Sequence, residues 1–437
     1  MLDNDMIEFL TYRNAMKSNY RKGVHALRCI LNNRKQAETF AGSLGGVSLV
    51  LGVSQPDGNS EALRALLEGS AVIDQATLTW LKNWWPEQCG SWDTLAADQG
   101  RCSTIATDPF LWERVGVSPV GAGKILAGLV GQDSRNFAAM QAVASSATAM
   151  QAVASSATAM QAVASSATAM QAVAVSPVAI AAIYRSDVAL SAVDSEVSAA
   201  ATFYGADSVA MGKAVVILAG LDPAGYADMS AVAASATAMS AVAANYVALV
   251  ALYSNAEALS IAQGTTVGAA ALAGAGSVAT GKAAVKLAGL DPDDFADMAA
   301  VAASSTAMAA VAASATARSA IAGSSAAREE LKKSPLIVEK TGIIPSGSTY
   351  WNSTGITLTS IKGVLIATSA GNSDNALTIL AIDDATLTTD EQTRNAAPKN
   401  SSGYLSWIDS QPNYLWVRQK IRMAAYYTST KVKYIPC

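Results

Sequence analysis

The fold class this sequence predicts is a mainly α-helical repeat array, flanked by an N-terminal, mostly α head domain and a small, sandwich-like C-terminal β domain. Three observations predict it: an alanine-rich unit repeating every ten residues, a longer segment recurring three times around it, and a change of hydrophobic period after residue 333. Hydrophobic residues make up 51% of the 437-residue chain and aromatics only 6%, so alanine, valine and methionine carry the apolar content. Such small side chains suit close helix contacts rather than one thick core.

The head spans residues 1–112, the least repetitive part, with helix-like segments over Asp5 to Asn33 and Asn59 to Trp85 and a glycine-rich apolar stretch near Gly42 to Val53. Trp80, Trp84, Trp85, Trp92 and Trp112 read as the core of a small domain, with an exposed docking surface as the alternative. The single histidine, His25, lies in a helical, Arg-rich stretch and reads as a packing or surface residue. Cys29, Cys89, Cys102 and Cys437 form no CxxC pair and read as free thiols, a local Cys89–Cys102 bridge being the lesser alternative. No residue set points to catalysis, a cofactor or a metal.

From Met140 a large apolar anchor recurs at Met150, Met160, Met170, Ile180 and Leu190, then from Met229 to Leu259, then at Met298 and Met308. Val143, Val153 and Val163 follow their anchors by three residues, which is helix spacing. Arg318 and Arg328 take the anchor place in the last units, which read as degenerate. Six residues after nearly every anchor stands Ser or Asn, suited to cap a helix N-terminus: Ser146, Ser156, Ser166, Ser176, Ser186, Ser235, Asn245, Asn255, Ser304, Ser314 and Ser324. Ser176-Pro177 adds proline at the first helical position, where it is tolerated best. Each decad therefore reads as its own short helix. In one continuous helix, ten residues would leave the apolar stripe rotated by about 80° per unit. Stacked short helices follow, with an overwound multi-chain coiled coil as the alternative.

The longer repeat occupies residues 113–333, in copies near 116–200, 205–265 and 274–333. Gly123-Lys124, Gly212-Lys213 and Gly281-Lys282 are followed at equal offsets by Gly131, Gly220 or Gly289, by Asp133, Asp222 or Asp291, and by Met140, Met229 or Met298. The lysines are 89 and 69 residues apart (213 − 124 and 282 − 213), a difference of two decads. Gly121 to Lys124 imitates the end of a phosphate-binding loop, but Ile125 stands where Ser or Thr is needed and Ser118 where the first glycine is. The recurring Gly-Lys reads instead as a helix C-terminus or turn, with Gly left-handed and Lys complementing the dipole. Asp222-Pro223 and Asp291-Pro292 read as capped helix starts.

Residues 334–437 alternate like strands, as in Ile356 to Thr359, Gly363 to Ala367, Ala376 to Ile382 and Tyr414 to Val417. Tyr404, Trp407, Tyr414 and Trp416 are the candidate receptor or partner contacts, with strand core as the plainer reading. Asp383, Asp384, Asp390 and Glu391 form the only acid cluster that a glycan-cleaving site could use. A net charge of −4 gives no footprint for nucleic acid, and no uninterrupted apolar stretch suggests a secretory signal or a membrane span.

The run from Ala300 to Val311 resembles the Ala/Ser/Met repeats of tailed-bacteriophage fibre and appendage proteins, a likeness covering about residues 138 to 330. It implies a non-enzymatic virion protein released by lysis, with an anchoring head, a repetitive shaft and a terminal β domain touching host glycan, host protein or another virion protein. A homo-oligomer, favouring a trimer, is implied in the same way. A bacterial surface adhesin or scaffold is the second reading, and a glycan-degrading tail enzyme the third.

Overall fold

The computed structural model describes Thr39, Val47, Leu51, Ser70, residues 72–343 and, beyond them, 356–359, 363–370, 378–382, 405–406, 416–417, 420–424 and 429–437. The chain is mostly helical, with antiparallel strands near the C-terminus, and divides into two compact units, Met1–Ala210 and Met211–Cys437. The expected helix over Asp5 to Asn33 and the glycine-rich stretch, apart from Val47 and Leu51, lie outside the described residues.

The first unit opens with α1 (Ile73–Leu81), α2 (Trp92–Ala96), α3 (Gln99–Thr107), α4 (Pro109–Val115) and α5 (Pro119–Leu129). Ser91, Asp98, Asp108 and Ser118 cap the last four of these through their side chains. Trp80, Trp92 and Trp112 are buried, whereas Trp84 is exposed. Trp112 also reaches into the repeat, its indole N–H donating to the Ala162 carbonyl at 2.7 Å.

The decads follow as α6 (Met140–Ser145), α7 (Ala147–Ala154), α8 (Ala157–Ser165), α9 (Ala167–Ala174), α10 (Pro177–Tyr184), α11 (Asp187–Asp194) and α12 (Val197–Tyr204). Among the described residues no helix runs through two decads. The cap residue makes the break: Ser166 takes an extended backbone (φ −108°, ψ 113°), and its N–H donates to the Val163 carbonyl of the helix behind. Its carbonyl accepts the Met170 N–H of the helix ahead. One residue thus ends one helix and starts the next, and at the equivalent corner α9 and α10 are bent by 100°. Alanine suits both the short helices and their close approach. In the regular decads the anchor and its valine are fully buried, as Met150 and Val153 are, while Gln151 and Ser155 face outward.

Successive bends bring each helix against the third one after it: α6 on α9, α7 on α10, α8 on α11 and α9 on α12. The second unit contains α13 (Ser208–Leu218), which spans the division, then α14 (Met229–Ala234), α15 (Ala236–Ala244), α16 (Tyr246–Ser254), α17 (Ala256–Gly264), α18 (Thr266–Ala273) and α19 (Ser277–Leu287). It continues with α20 (Met298–Ala303), α21 (Ser305–Ala313), α22 (Ala315–Gly323) and α23 (Ser325–Lys332). The same rule holds there, α14 lying on α17, α15 on α18, α16 on α19, α19 on α22 and α20 on α23.

Each long module opens with an eleven-residue helix (α5, α13 or α19), and here the structure corrects the expectation for Gly-Lys. Gly123, Gly212 and Gly281 lie inside these helices, and the left-handed residue is the later glycine: Gly131 (φ 72°), Gly220 (φ 82°) and Gly289 (φ 79°). Leu290 N–H reaches back to the Val285 carbonyl at 2.9 Å, the six-to-one bond of a glycine-terminated helix. The chain then passes a 3₁₀ turn (Pro292–Asp294, capped by Asp291) and crosses back over its own helix. A Cβ on Gly281 would lie 2.4 Å from Met298 N, and one on Gly123 or Gly212 would meet Met140 N or Met229 N equally closely. The inner glycine is therefore selected by the backbone crossing it, not by its own dihedrals.

Among the described residues eight strands follow: β1 (Val338–Ile343), β2 (Ile356–Thr359), β3 (Gly363–Ala370), β4 (Thr378–Ile382), β5 (Leu405–Ser406), β6 (Trp416–Val417), β7 (Lys420–Ala424) and β8 (Ser429–Pro436). One sheet runs β1-β8-β3-β5 with β6 also on β3, and a second runs β2-β7-β4. All described pairs are antiparallel. Strands β3 and β8 pack on α21, and Val364, Ile366, Val432 and Ile435 share one core with Met308, Val311 and Leu331.

Candidate functional site

Capping residues are the recurrent polar feature of the repeat. Ser146, Ser156, Ser166, Ser176, Ser235, Ser304 and Ser314 each accept a backbone N–H three residues ahead through Oγ, at 3.1 to 3.3 Å. Asn245 does so through Oδ1, from Val247 N and Ala248 N.

A second bond from the same side chains was not foreseen in the sequence. Ser176 Oγ donates to the Ala144 carbonyl at 2.7 Å, 32 residues back, and Ser186 Oγ to Ala154 O at 2.6 Å. In the second unit Thr265 Oγ1 donates to Ala233 O at 2.9 Å and Ser334 Oγ to Ala302 O at 2.5 Å. Ser176, Thr265 and Ser334 each stand 52 residues after their own module's lysine (Lys124, Lys213 and Lys282), so the rung is a property of the module.

The acceptors are the end-of-helix carbonyls that a helix cannot satisfy itself. One hydroxyl thus satisfies an orphan N–H in its own helix and an orphan carbonyl in the layer beneath. Asn245 Nδ2 donates likewise to Leu218 O at 3.0 Å, and Ser314 Oγ to Leu287 O at 2.8 Å. These rungs tie one layer to the next. Each contributes about 1 kcal/mol net, and more if its carbonyl would otherwise be buried unpaired.

Donor capacity separates two kinds of cap. Every described interlayer rung comes from Ser, Thr or Asn, whereas Asp228 and Asp297, which cap α14 and α20 at the module starts, only accept. An ionised aspartate has no proton to give to a carbonyl. The rung was visible in sequence only as a repeated 32-residue offset between a serine-type residue and an alanine, which means nothing until the number of helices per turn is known.

The phosphate-loop imitation has a different use. Gly121, Gly123 and Lys124 lie within α5, and Lys124, whose side chain is 9% exposed, donates from Nζ to Asp93 Oδ1 at 2.7 Å and to the Ser134 carbonyl at 2.9 Å. Partial burial by itself would raise the Asp93 pKa, but the hydrogen bonds from Lys124 and Ser134 and the lysine charge outweigh it and hold the carboxyl below its ordinary value. In the third copy Lys282 Nζ reaches Asp293 Oδ1 at 3.0 Å instead. This is a fastening of α2 and the 3₁₀ turn Ser134–Asn136 to α5.

Of the four aromatic candidates, Tyr404, Trp407 and Tyr414 lie outside the described residues. Trp416 is half-buried against the core shared by the array and the sheet, with the Arg318 guanidinium 6.0 Å from its ring. Its indole faces the chain's own helices. Arg318, read as a degenerate anchor, turns its guanidinium to the Ala312 carbonyl, and Arg328 does the same at Ala322, so each arginine closes the end of the preceding helix.

Cys89 and Cys102 are buried free thiols, and Cys437 is half-buried, its Sγ donating to the Ile435 carbonyl at 3.5 Å. Burial pushes the Cys102 thiol up to about 11 and raises that of Cys89, which keeps both protonated and unreactive. His25, Cys29, Asp383, Asp384, Asp390 and Glu391 lie outside the described residues. Among the described residues no group of three or more His, Cys, Asp or Glu side chains is placed to hold a metal ion, and no single helix is long and apolar enough to cross a membrane.

Compared with known proteins, the chain matches no protein-family model and no curated protein.

Proposed function

We propose that the chain is a structural component of a tailed-bacteriophage virion, a tail fibre, whisker or other appendage. Its helical repeat is a solenoid spacer between an anchoring N-terminal domain and a sandwich-like C-terminal β domain that attaches to the host or to another virion protein. The observation that carries this reading is a module that recurs with the same interlayer rungs while its length changes by whole decads. Such a segment sets a distance and is lengthened without redesign. The likeness of its Ala/Ser/Met runs to phage appendage repeats supplies the virion, and a trimeric assembly follows from the same likeness. The protein is made in the host cytoplasm, is released by lysis, and needs no cofactor and no nucleic acid.

Three decads per turn give the spacer a small axial growth. Packed helices lie about 8 to 10 Å apart, so each decad adds about 3 Å, against about 15 Å in a continuous helix. The deciding experiment is mass spectrometry and immunogold labelling of density-banded phage particles from a lysate that contains the protein. Enrichment in the particles, with label on a protruding structure, is expected; abundance in the lysate with absence from the particles would overturn the virion assignment. Label on intact, unlysed cells would move the reading to a bacterial surface adhesin or scaffold. No new reducing ends are expected when the protein meets host polysaccharide; their appearance would favour the glycan-degrading enzyme.

A further inference from the structure

The array ends where its own pattern calls for another helix. Ser334-Pro335 repeats the start seen at Ser176-Pro177, Ser334 makes its rung to Ala302, and Ser334 Oγ accepts from Leu336 N at 3.1 Å. The next anchor position, ten after Arg328, is Val338. Yet Val338 begins strand β1, because alanines give way to a run, Leu336-Ile337-Val338 with Thr341 and Ile343, that favours a strand. By the rule that each helix carries the third one after it, α21 should carry a further decad helix. What lies on it is β3 and β8.

We propose that the C-terminal sheet is an end cap occupying the seat of the missing decad helix on α21, and that the partner this seat fits when the cap lifts is a decad layer from a second copy of this chain. Seat and partner match in chemistry. Met308 and Val311, which line the seat, are the anchor and its valine, the pair that the regular decads bury in the array. An open array end leaves that row in water, and repeat arrays need a different terminal element to stay soluble. The cap is held by Val364 and Ile435 on the shared core, and by Gly363 (φ 145°), where a Cβ would collide with the Ile435 carbonyl. This inference does not depend on the virion assignment.

The test uses the full chain carrying Val364→Lys and Ile435→Lys, which charge the cap and change no residue of a helix. Hydrogen exchange reads the cap at residues 363–370 and 429–436, and light scattering over a hundredfold concentration range reads the mass. The expected result is lost protection in β3 and β8, retained protection in α21, and a rise of at least twofold in average mass over the wild type at high concentration. Lost strand protection with unchanged mass would overturn the second-copy seat, and unchanged strand protection would overturn the role given to Val364 and Ile435. If the double variant loses helix content, Gly363→Ala, which acts within the sheet through the contact with Ile435 and the φ of 145°, is measured instead. Helix loss there too would make the sheet part of the array core rather than a cap and sink the proposal.

Discussion

At a decad corner such as Ser176, the chain turns 100° on a single extended residue, held by a side chain that accepts one bond and donates another. At a module opening the reversal takes residues 288–297 and is held by backbone lying directly on backbone at Gly281 and Met298. The three copies record the difference. Corner rungs tolerate Ser or Thr at equivalent places (Ser176, Thr265, Ser334), whereas the crossing point is glycine every time. A bond made by a rotatable hydroxyl leaves room for related side chains; a contact between two main chains leaves room for none.

Gly281→Ala tests that contrast most severely. Its Cβ would sit 2.4 Å from Met298 N and 2.6 Å from Asp297 C, with no flexible neighbour to yield. A loss of about 3 kcal/mol, at the upper end for overpacking, is expected in urea unfolding followed by circular dichroism. A neutral result would remove close approach as the reason for the glycine.

Next in size is Ser176→Asp. The carboxylate still accepts from Ala179 N but faces the Ala144 carbonyl in a site where the residue is 2% exposed. It should cost more than Ser176→Ala, itself about 1 to 2 kcal/mol, and far more than Ser176→Thr. Asp297→Ser, at a cap that only accepts, should be near neutral. Equal costs for Asp at position 176 and Ser at position 297 would erase the distinction between the two kinds of cap.

Gly289→Ala sharpens the comparison with Gly281, because nothing lies within 4 Å of its added Cβ and only the φ of 79° is at stake. About 1 kcal/mol is expected from the left-handed conformation alone. A loss matching that of Gly281→Ala would show that the opening is held as a whole rather than at one crossing.

The smallest effect is electrostatic. Asp93 is held below its ordinary pKa in the folded chain, so the unfolded chain takes up the proton first as pH falls. Its stabilising contribution is fully present above the unfolded value and is lost as pH drops through the folded one. Asp93→Asn should therefore flatten the stability decline as pH falls below about 5. An unchanged slope would mean that the Lys124 contact contributes nothing measurable.

Much of the helical architecture was legible because capping, helix spacing and alanine propensity act within a few residues. The corner residues, the strands beginning at Ile356 and Gly363, and the recurrence of the module could all be read without coordinates. The place of the left-handed glycine could not: Gly123 and Gly131 are equally repeated, and only the chain crossing over α5 tells close approach from positive φ. Trp416 was likewise ambiguous, since an aromatic in a β region packs inward or outward according to what the sheet covers.

By itself, then, the sequence determined where the Ser- and Asn-capped decad helices begin, that Met and Val of those decads face inward, and that length changes in decads, all consequences of interactions spanning a few residues along one helix. Only the tertiary structure decided that the fourth helix returns over the first, which caps also donate to the layer beneath, and that strands take the seat on α21. Those outcomes depend on corner bends summed over three helices, a quantity that no single decad contains.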